Sequence, residues 1–236
     1  MKRNYAFLCL LLLPLLALLP AHKSIPALAS EPTGYIALTF DDSPNGAATE
    51  RLLDGLRERG AHATFFIIGE QIEGQEPLLR RMAAEGHQIG NHTYTHRRLD
   101  TTGAVGLHEL ERTEEALHAT LGGSGYWIRP PWGFASAETL REVNVPLIYW
   151  TLDTEDWRVL NADRIARCIT DNVCDGDIVL LHDSYVTSVD AALRAIDALS
   201  ARGFAFVTVE ELFEEMGVEP ELGCLYCRPD SVRTVK

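Results

Sequence analysis

The sequence predicts an α/β fold, a distorted (β/α) barrel of about seven strands. Apolar, strand-like runs alternate with helix-like segments along the chain. These runs are almost continuously apolar, which is typical of parallel strands covered by helices. The chain has no glycine-rich phosphate loop, and this favours a closed or distorted barrel over an open doubly wound sheet.

Each predicted strand is an apolar run bounded by glycine, proline or a charged residue. The strands are predicted at residues 35–38, 63–68, 88–90, 126–129, 146–151, 177–182 and 204–207. Between them, leucine and alanine recur at helical spacing, and several of these segments close at a glycine. The helices are predicted at residues 45–59, 76–85, 105–121, 134–143, 163–173, 189–201 and 209–216.

The first 29 residues have the pattern of a secretory signal peptide. Lys2 and Arg3 precede an apolar run over residues 6–19, and the small residues Ala27 and Ala29 offer a cleavage site. We expect a secreted or cell-envelope protein whose residues 30–236 form one domain, because no repeats or Pro/Ser linkers interrupt them. The alternative is an uncleaved membrane anchor, for which the apolar run is rather short.

The charge balance is acidic, with 34 acidic and 21 basic residues and a net charge of −13. Without a cluster of Lys or Arg, nucleic acids and anionic membranes are poor partners. No stable protein partner is implied, and we expect a monomer.

Four cysteines follow the predicted signal peptide: Cys168, Cys174, Cys224 and Cys227. An even number in an exported chain favours disulfides that hold the C-terminal tail, with three possible pairings. The alternative is that Cys224 and Cys227 are half of a zinc site, but no second Cys or His pair lies near them in sequence.

Two adjacent carboxylates, Asp41 and Asp42, follow the first strand. Side chains alternate along a strand, so both reach one cleft only if the strand twists at its end. Like charges this close raise each other's proton affinity unless a cation lies nearby. Asp42 is therefore a candidate metal ligand and Asp41 a candidate base, whereas the alternative is a solvated turn that caps the next helix.

His92 and His96 follow the third strand and are four residues apart, so a helical turn would direct both imidazoles to one side. With Asp42 they make a His-His-carboxylate ligand set that leaves positions open for water and substrate. Two histidines on a surface turn are the alternative.

Further polar groups follow other predicted strands, and the carboxyl ends of parallel strands carry the active site in such folds. His182 follows an apolar strand and is a candidate general acid, or else a buried structural histidine. Arg129, before two prolines, can orient a carboxylate. Asp153 and Asp156 offer an acid to pair with His182, and Trp157 can line a sugar pocket.

Five motifs, in order, resemble those of the polysaccharide deacetylases of the NodB type, carbohydrate esterase family four. They are TFDDSP at 39–44, HTYTH at 92–96, RPPWG at 129–133, DTEDW at 153–157 and LLHD at 180–183. The resemblance covers residues 36–213 and implies a distorted (β/α) barrel. It also implies an N-deacetylase of N-acetylglucosamine glycans, with peptidoglycan or chitin oligomers as partners.

The resemblance assigns roles to ten residues. It implies a divalent metal, usually Zn²⁺ with Co²⁺ or Ni²⁺ as alternatives, on Asp42, His92 and His96. It implies Asp41 as the base and His182 as the acid, with Arg129 orienting the base and Asp156 tuning the acid. The substrate-binding residues would be Trp132, through its backbone N–H, and Trp157 and Leu180, which would wall the acetyl pocket. His87, just before the second motif, is expected to pack or cap.

Two residues depart from the family pattern: Ser43 stands where the family usually has Gly, and Trp132 where it usually has Tyr. Neither change removes a proposed catalytic group. Two alternative functions remain open, an O-acetyl esterase acting on xylan and a catalytically silent glycan-binding protein.

Overall fold

The computed structural model describes residues 31–100 and 103–234 of the chain. The predicted signal peptide, residues 1–29, lies outside the described residues. The strands are β1 (Gly34–Ser43), β2 (Thr64–Ile67), β3 (Gln88–Asn91), β4 (Leu147–Ile148), β5 (Leu152–Asp153), β6 (Asp177–His182), β7 (Phe204–Phe206), β8 (Leu225–Arg228) and β9 (Ser231–Val232). The helices are α1 (Ala47–Arg59), α2 (Glu76–Ala84), α3 (Gly103–Leu121), α4 (Ala137–Glu142), α5 (Asp156–Val159), α6 (Ala162–Asn172), α7 (Val186–Ser200) and α8 (Val209–Glu215).

The strands form a mostly parallel sheet that curves into an irregular barrel. The main sheet has the order β3-β2-β1-β6-β5, and β7 pairs with the first residues of β1. Beyond β3, single bridges join Asn91 to Ile128 and Ile128 to Leu147 of β4. Since β4 and β5 belong to one continuous segment, residues 147–153, this segment completes the circuit back to β6. The predicted distorted α/β barrel is thus confirmed.

β1 is the central strand of the main sheet, paired with β2 on one side and β6 on the other, and both of its faces are covered. Its apolar side chains, among them Ile36, Leu38 and Phe40, are fully buried. Helices α1 and α7 pack against the same core through Leu52, Leu53, Leu56 and alanines of α7. Burial of a large aliphatic or aromatic side chain contributes about 1.5–3 kcal/mol, so this strand is a rigid support for the polar residues at its end.

Two predicted strands are only partly formed. The prediction at 126–129 is reduced to bridges at Ile128, because Pro130 follows directly and cannot donate to a ladder. Of the strand predicted at 146–151, only β4 forms, and β5 begins one residue beyond the predicted range and belongs to a different sheet. The barrel is distorted where these segments lie.

The expected disulfides do not form in this structure. All four cysteines are free thiols, and the sulfur of Cys224 faces Glu221 Oε2 at 3.8 Å rather than another sulfur. Cys224 and Cys227 lie around β8, whose ladder to β4 and β9 already holds the C-terminal tail. Among the described residues, no helix combines the length and apolar character that a membrane span requires.

Candidate active site

The two adjacent aspartates lie at a β-bulge at the end of β1. Phe40 pairs with Phe65 of β2 but Ser43 pairs with Ile67, so β1 has one extra residue between these pairs. The extra residue is accommodated by a left-handed backbone at Asp42, where φ is 62°. This irregularity replaces the alternation of a regular strand and lets both carboxylates reach the same groove. The strand-end twist expected from the sequence therefore exists.

The two histidines of the second motif lie on a loop rather than on a helical turn. Thr93 and His96 have positive φ values, 66° and 57°, and the backbone between β3 and α3 is irregular there. The prediction of a helical turn is therefore wrong, although its consequence holds. The imidazole rings of His92 and His96 lie close together, with centroids 5.0 Å apart.

Asp42, His92 and His96 together fit a divalent metal. One donor atom from each lies within 4.8 Å of the others. Asp42 Oδ1 is 3.6 Å from His92 Nε2 and 3.3 Å from His96 Nε2, and this oxygen is buried without a hydrogen-bond partner. An unpaired buried carboxylate oxygen facing two imidazole nitrogens is costly without a cation.

The tautomer of His92 is suited to a metal as well. Its Nδ1 lies 2.7 Å from the carbonyl oxygen of Arg129, and a carbonyl can only accept, so Nδ1 carries the proton. The lone pair of Nε2 then faces Asp42. A backbone carbonyl that fixes the ring in this way is a common support for a metal-binding histidine.

Arg129 holds Asp41 beside the metal ligands. Its side chain is fully buried, and Nη1 donates to Asp41 Oδ1 at 2.9 Å and to Thr39 Oγ1 at 2.6 Å, while Nη2 donates to the Tyr149 carbonyl at 2.7 Å. Burial by itself would raise the pKa of Asp41, but the positive charge of Arg129, followed by His92 and His182, holds that pKa below its usual value. Asp41 is thus an ionised carboxylate with one oxygen aimed by the guanidinium.

His182 lies on the other side of the groove, in contact with Asp156. Its Nδ1 is 2.8 Å from Asp156 Oδ1, and its backbone N–H donates to Asp156 Oδ2 at 2.7 Å. Burial would lower the pKa of His182, but the hydrogen bond and charge of Asp156, with Asp41 and Asp42 further away, raise it to about 9. The imidazole is therefore protonated at neutral pH.

The three candidate ligands, Asp41 and His182 line one groove of about 350 Å³ at the carboxyl ends of the strands, and Arg129 and Asp156 are buried behind its wall. Trp132 and Trp157 stand at its rim with about half of their surfaces exposed, 57% and 50%, whereas Leu180 is buried in its wall. Trp132 has φ 53°, and its ring lies 4.2 Å from that of His96. All ten residues singled out from the sequence lie in or beside this groove, and their individual roles remain predictions.

Trp150 and Tyr185 also line the groove, although the sequence analysis gave them no role. Trp150 lies three residues before the fourth motif, and its ring stacks on that of Tyr149 with centroids 3.8 Å apart. Tyr185 lies two residues beyond the fifth motif. The only sequence signal that could have predicted a place in the groove for either residue is an aromatic side chain close to a motif.

Sequence analysis assigned no separate role to Asp183, the last residue of the fifth motif, which anchors the segment after Asp42. This carboxylate is fully buried and accepts hydrogen bonds from Ser43 Oγ at 2.9 Å, from Asn45 Nδ2 at 2.6 Å and from the Thr49 hydroxyl. Asn45 Nδ2 also donates to the Asp42 carbonyl at 2.7 Å. Burial raises the pKa of Asp183, and the three donors oppose that rise. Ser43 thus points away from the groove and into this network.

Comparisons with known proteins show which family the chain is similar to. Residues 29–145 match the family described as polysaccharide deacetylase. The chain is 32% identical over 220 residues to the peptidoglycan-N-acetylglucosamine deacetylase PgdA of Listeria monocytogenes, covering 92% of this chain and 47% of that protein. It is 36% identical over 187 residues to a peptidoglycan-N-acetylglucosamine deacetylase of Bacillus cereus, covering 76% of this chain and 68% of that one. The chain thus spans about half the length of the Listeria relative.

A solved structure shares the fold and is described with a metal. The family 4 acetyl xylan esterase from Clostridium thermocellum, in complex with a cobalt ion, matches with a TM-score of 0.79 and 29% identity. The match covers 84% of this chain and all of that one.

Proposed function

This chain belongs to the polysaccharide deacetylase family, and from that premise we propose that it removes N-acetyl groups from N-acetylglucosamine in peptidoglycan. The observation that carries the proposal is one arrangement of side chains. A His-His-Asp ligand set lies beside an ionised aspartate, Asp41, and shares a groove with a protonated histidine, His182. Hydrolysis of an amide needs an activated water, a stabilised oxyanion and a protonated leaving amine, and these groups can serve all three needs.

Asp42, His92 and His96 would hold the metal. Two imidazoles and one carboxylate are typical ligands of a catalytic zinc site, and Co²⁺ or Ni²⁺ suits the same donors. When bound, the cation supplies Lewis acidity that polarises the acetyl carbonyl and lowers the pKa of a nearby water.

Asp41 would act as the general base. Because Arg129 occupies Oδ1 and keeps the carboxylate ionised, Oδ2 is left to accept a proton from the attacking water. Oδ2 also faces the metal site, since it lies 3.6 Å from His92 Nε2. The new C–O bond therefore forms where the base and the ligand set meet.

His182 would act as the general acid. Its protonated imidazole can deliver a proton to the sugar nitrogen as the C–N bond breaks, so that acetate and a free amine leave. An amine is a poor leaving group without protonation, and the raised pKa keeps this imidazole in the protonated form that can donate to it. Asp156 keeps this ring charged and correctly turned, because it holds both Nδ1 and the backbone N–H.

The groove walls would bind the acetyl group and the sugar. We propose that the backbone N–H of Trp132 donates to the developing oxyanion. Trp157 and Leu180 would enclose the acetyl methyl group. The exposed indole faces of Trp132 and Trp157 suit the apolar faces of sugar rings.

The relatives support the proposed polymer, and the signal-like start of the sequence supports the proposed location. Peptidoglycan is the polymer named for the Listeria and Bacillus relatives, and the signal-like first 29 residues would bring the enzyme to the cell envelope. We expect it to act as a monomer, and chitin oligomers would suit the same groove.

A second candidate function is hydrolysis of O-acetyl groups on xylan. The similarity to the Clostridium thermocellum acetyl xylan esterase favours it. An ester needs the same water activation but less help from an acid, because an alcohol leaves more readily than an amine.

Acetate release tests the proposal. The metal-loaded protein is incubated with N-acetylglucosamine oligomers, with peptidoglycan and with acetylated xylan, beside an Asp41→Asn control. Metal-dependent acetate from the amino-sugar substrates with the unchanged protein alone would support N-deacetylation. Acetate from xylan only would favour the esterase, and no acetate from any substrate would favour a binding protein.

A further inference from the structure

We propose that Glu109, a residue outside all five motifs, positions the metal ligand His96. The loop that bears the two histidines, residues 92–96, is called the histidine loop below. Its backbone is left-handed at Thr93 and at His96 itself, with φ values of 66° and 57°. Such conformations are costly for residues other than glycine, on the order of 1–3 kcal/mol each, and persist only where the surroundings hold them.

Glu109 restrains the backbone next to His96. It lies on α3 with 7% of its surface exposed, and its Oε2 accepts two hydrogen bonds from Thr95. One comes from the backbone N–H at 2.7 Å and the other from the hydroxyl at 2.9 Å. Hydrogen bonds to an ionised carboxylate are about twice as strong as neutral ones. Thr95 directly precedes His96, so this pair of bonds restrains the backbone on which the ligand is carried.

Other contacts restrain mainly the first half of the histidine loop. Asn91 Oδ1 accepts from the Thr93 N–H at 2.9 Å, and the Gly69 N–H donates to the Thr93 carbonyl at 3.0 Å. The Glu70 N–H donates to the Tyr94 carbonyl at 3.0 Å. These contacts hold the loop near His92, whose ring is also fixed by a carbonyl. Near His96, the Arg97 N–H donates to Thr93 Oγ1 at 3.0 Å, and Glu109 adds the two hydrogen bonds from Thr95, which directly precedes the ligand.

The inference rests on the metal role within the proposed function and extends it to a residue that touches neither metal nor substrate. If Glu109 is lost, His96 can move away from Asp42, although its own side chain is unchanged. Residues that orient metal ligands typically contribute about 10–100-fold to metal affinity. We expect a loss in that range, without a matching loss in the stability of the metal-free fold.

Three substitutions test this inference. Glu109→Ala removes both hydrogen bonds, whereas Glu109→Gln keeps an oxygen that can accept them. Glu114→Ala is the matched control, because Glu114 also lies on α3 and its Oε1 accepts from a loop backbone N–H, that of Gly125, at 2.6 Å. Zn²⁺ affinity is measured by competition with a chelator, and thermal unfolding is measured on each metal-free protein.

We expect Glu109→Ala to weaken Zn²⁺ binding about 10–100-fold, with Glu109→Gln and Glu114→Ala within about threefold of the unchanged protein. Equal affinity for Glu109→Ala, or a loss that Glu109→Gln fails to restore, would overturn the inference. So would a loss of thermal stability without a loss of affinity. Should Glu109→Ala not fold, Thr95→Val removes only the hydroxyl contact and should still weaken binding several-fold; unchanged affinity there would overturn the inference too.

The same experiment separates this inference from the proposed function. Metal affinity is measured without any glycan. A protein that binds Zn²⁺ through Glu109-dependent positioning but releases no acetate would contradict the deacetylase proposal alone. A protein that releases acetate and binds Zn²⁺ equally well after Glu109→Ala would contradict the positioning role alone.

Discussion

Strand β3 has a buried histidine at each of its ends, and the two ends differ in chemistry. His87 lies just before the strand and His92 just after it. His87 Nδ1 accepts the backbone N–H of Ala63 at 3.2 Å, and its ring packs against Phe65 with centroids 5.4 Å apart. His92 instead donates from Nδ1 to a carbonyl and turns Nε2 towards two carboxylates. Opposite tautomers follow from the opposite partners.

A second contrast, between His87 and His182, concerns the pKa values of buried histidines. Burial, followed by the nearby His62, lowers the pKa of His87 to about 4. Burial acts in the same direction on His182, yet the carboxylate of Asp156 raises its pKa to about 9. Burial is common to both sites, and the carboxylates make the difference. They gather at one end of the barrel because the carboxyl ends of parallel strands meet there.

Asp41→Asn should have the largest effect on the carboxyl end of the barrel. Asn cannot accept the proton from water, so turnover should fall by about 10²–10⁴-fold. The metal ligands are untouched, and metal content after dialysis should remain near one per chain. Acetate release and metal analysis measure the two quantities, and unchanged turnover would remove Asp41 from the role of base.

His92→Ala and His87→Gln compare the two ends of β3 directly. Loss of a ligand should weaken Zn²⁺ binding by at least about 100-fold. His87→Gln keeps an oxygen that can accept the Ala63 N–H and should bind the metal as the unchanged protein does. Titration calorimetry provides both affinities. If the His87 variant lost as much affinity as the His92 variant, the two ends would not have separate roles.

Asp156→Asn should lower the pKa of His182 towards the ordinary value of a histidine. An acid must be protonated to act, so with a pKa of about 9 activity is expected to persist through neutral pH and to fall above pH 9. Without the charge of Asp156, this alkaline limb should move down by about 1–2 pH units. The pH–rate profile measures the shift, with Asp153→Asn in the same groove as control. If the alkaline limb does not move, His182 is not the general acid.

Substitution of His87 should have the smallest effect, and the effect should appear in the free energy of unfolding rather than in activity. Its pKa is lowered in the fold, so the unfolded chain takes up a proton first as the pH falls. The contribution is therefore complete above about pH 6.5 and is lost between about pH 6.5 and 4, amounting to about 1–3 kcal/mol. Unfolding by urea across this range should be less dependent on pH for His87→Gln. An identical pH dependence would show that His87 does not titrate in this way.

Much of the architecture was predictable because burial leaves a direct mark on sequence. β6 was predicted with its observed bounds, since all its residues up to His182 are apolar after Asp177. The helix predicted at 105–121 corresponds to α3, because its buried residues recur at helical spacing. The strand at 126–129 was overpredicted, because an apolar run does not reveal whether a neighbouring strand is available to pair with it. The disulfides were likewise expected from an even cysteine count, which contains no information on distance.

The sequence alone determined the α/β class, the family resemblance and the polar residues at the strand ends, because these depend on local patterns and short motifs. Only the tertiary structure decided how those residues are presented. The bulge at Asp42 and the contacts of Asp183 depend on residues far apart in the chain, and even the contacts of Glu109 with Thr95 join a helix to the loop before it, 14 positions away. Asp183, for example, is 140 positions from the Ser43 hydroxyl that it holds. Such pairs are specified by packing of the whole barrel, and no local pattern records them.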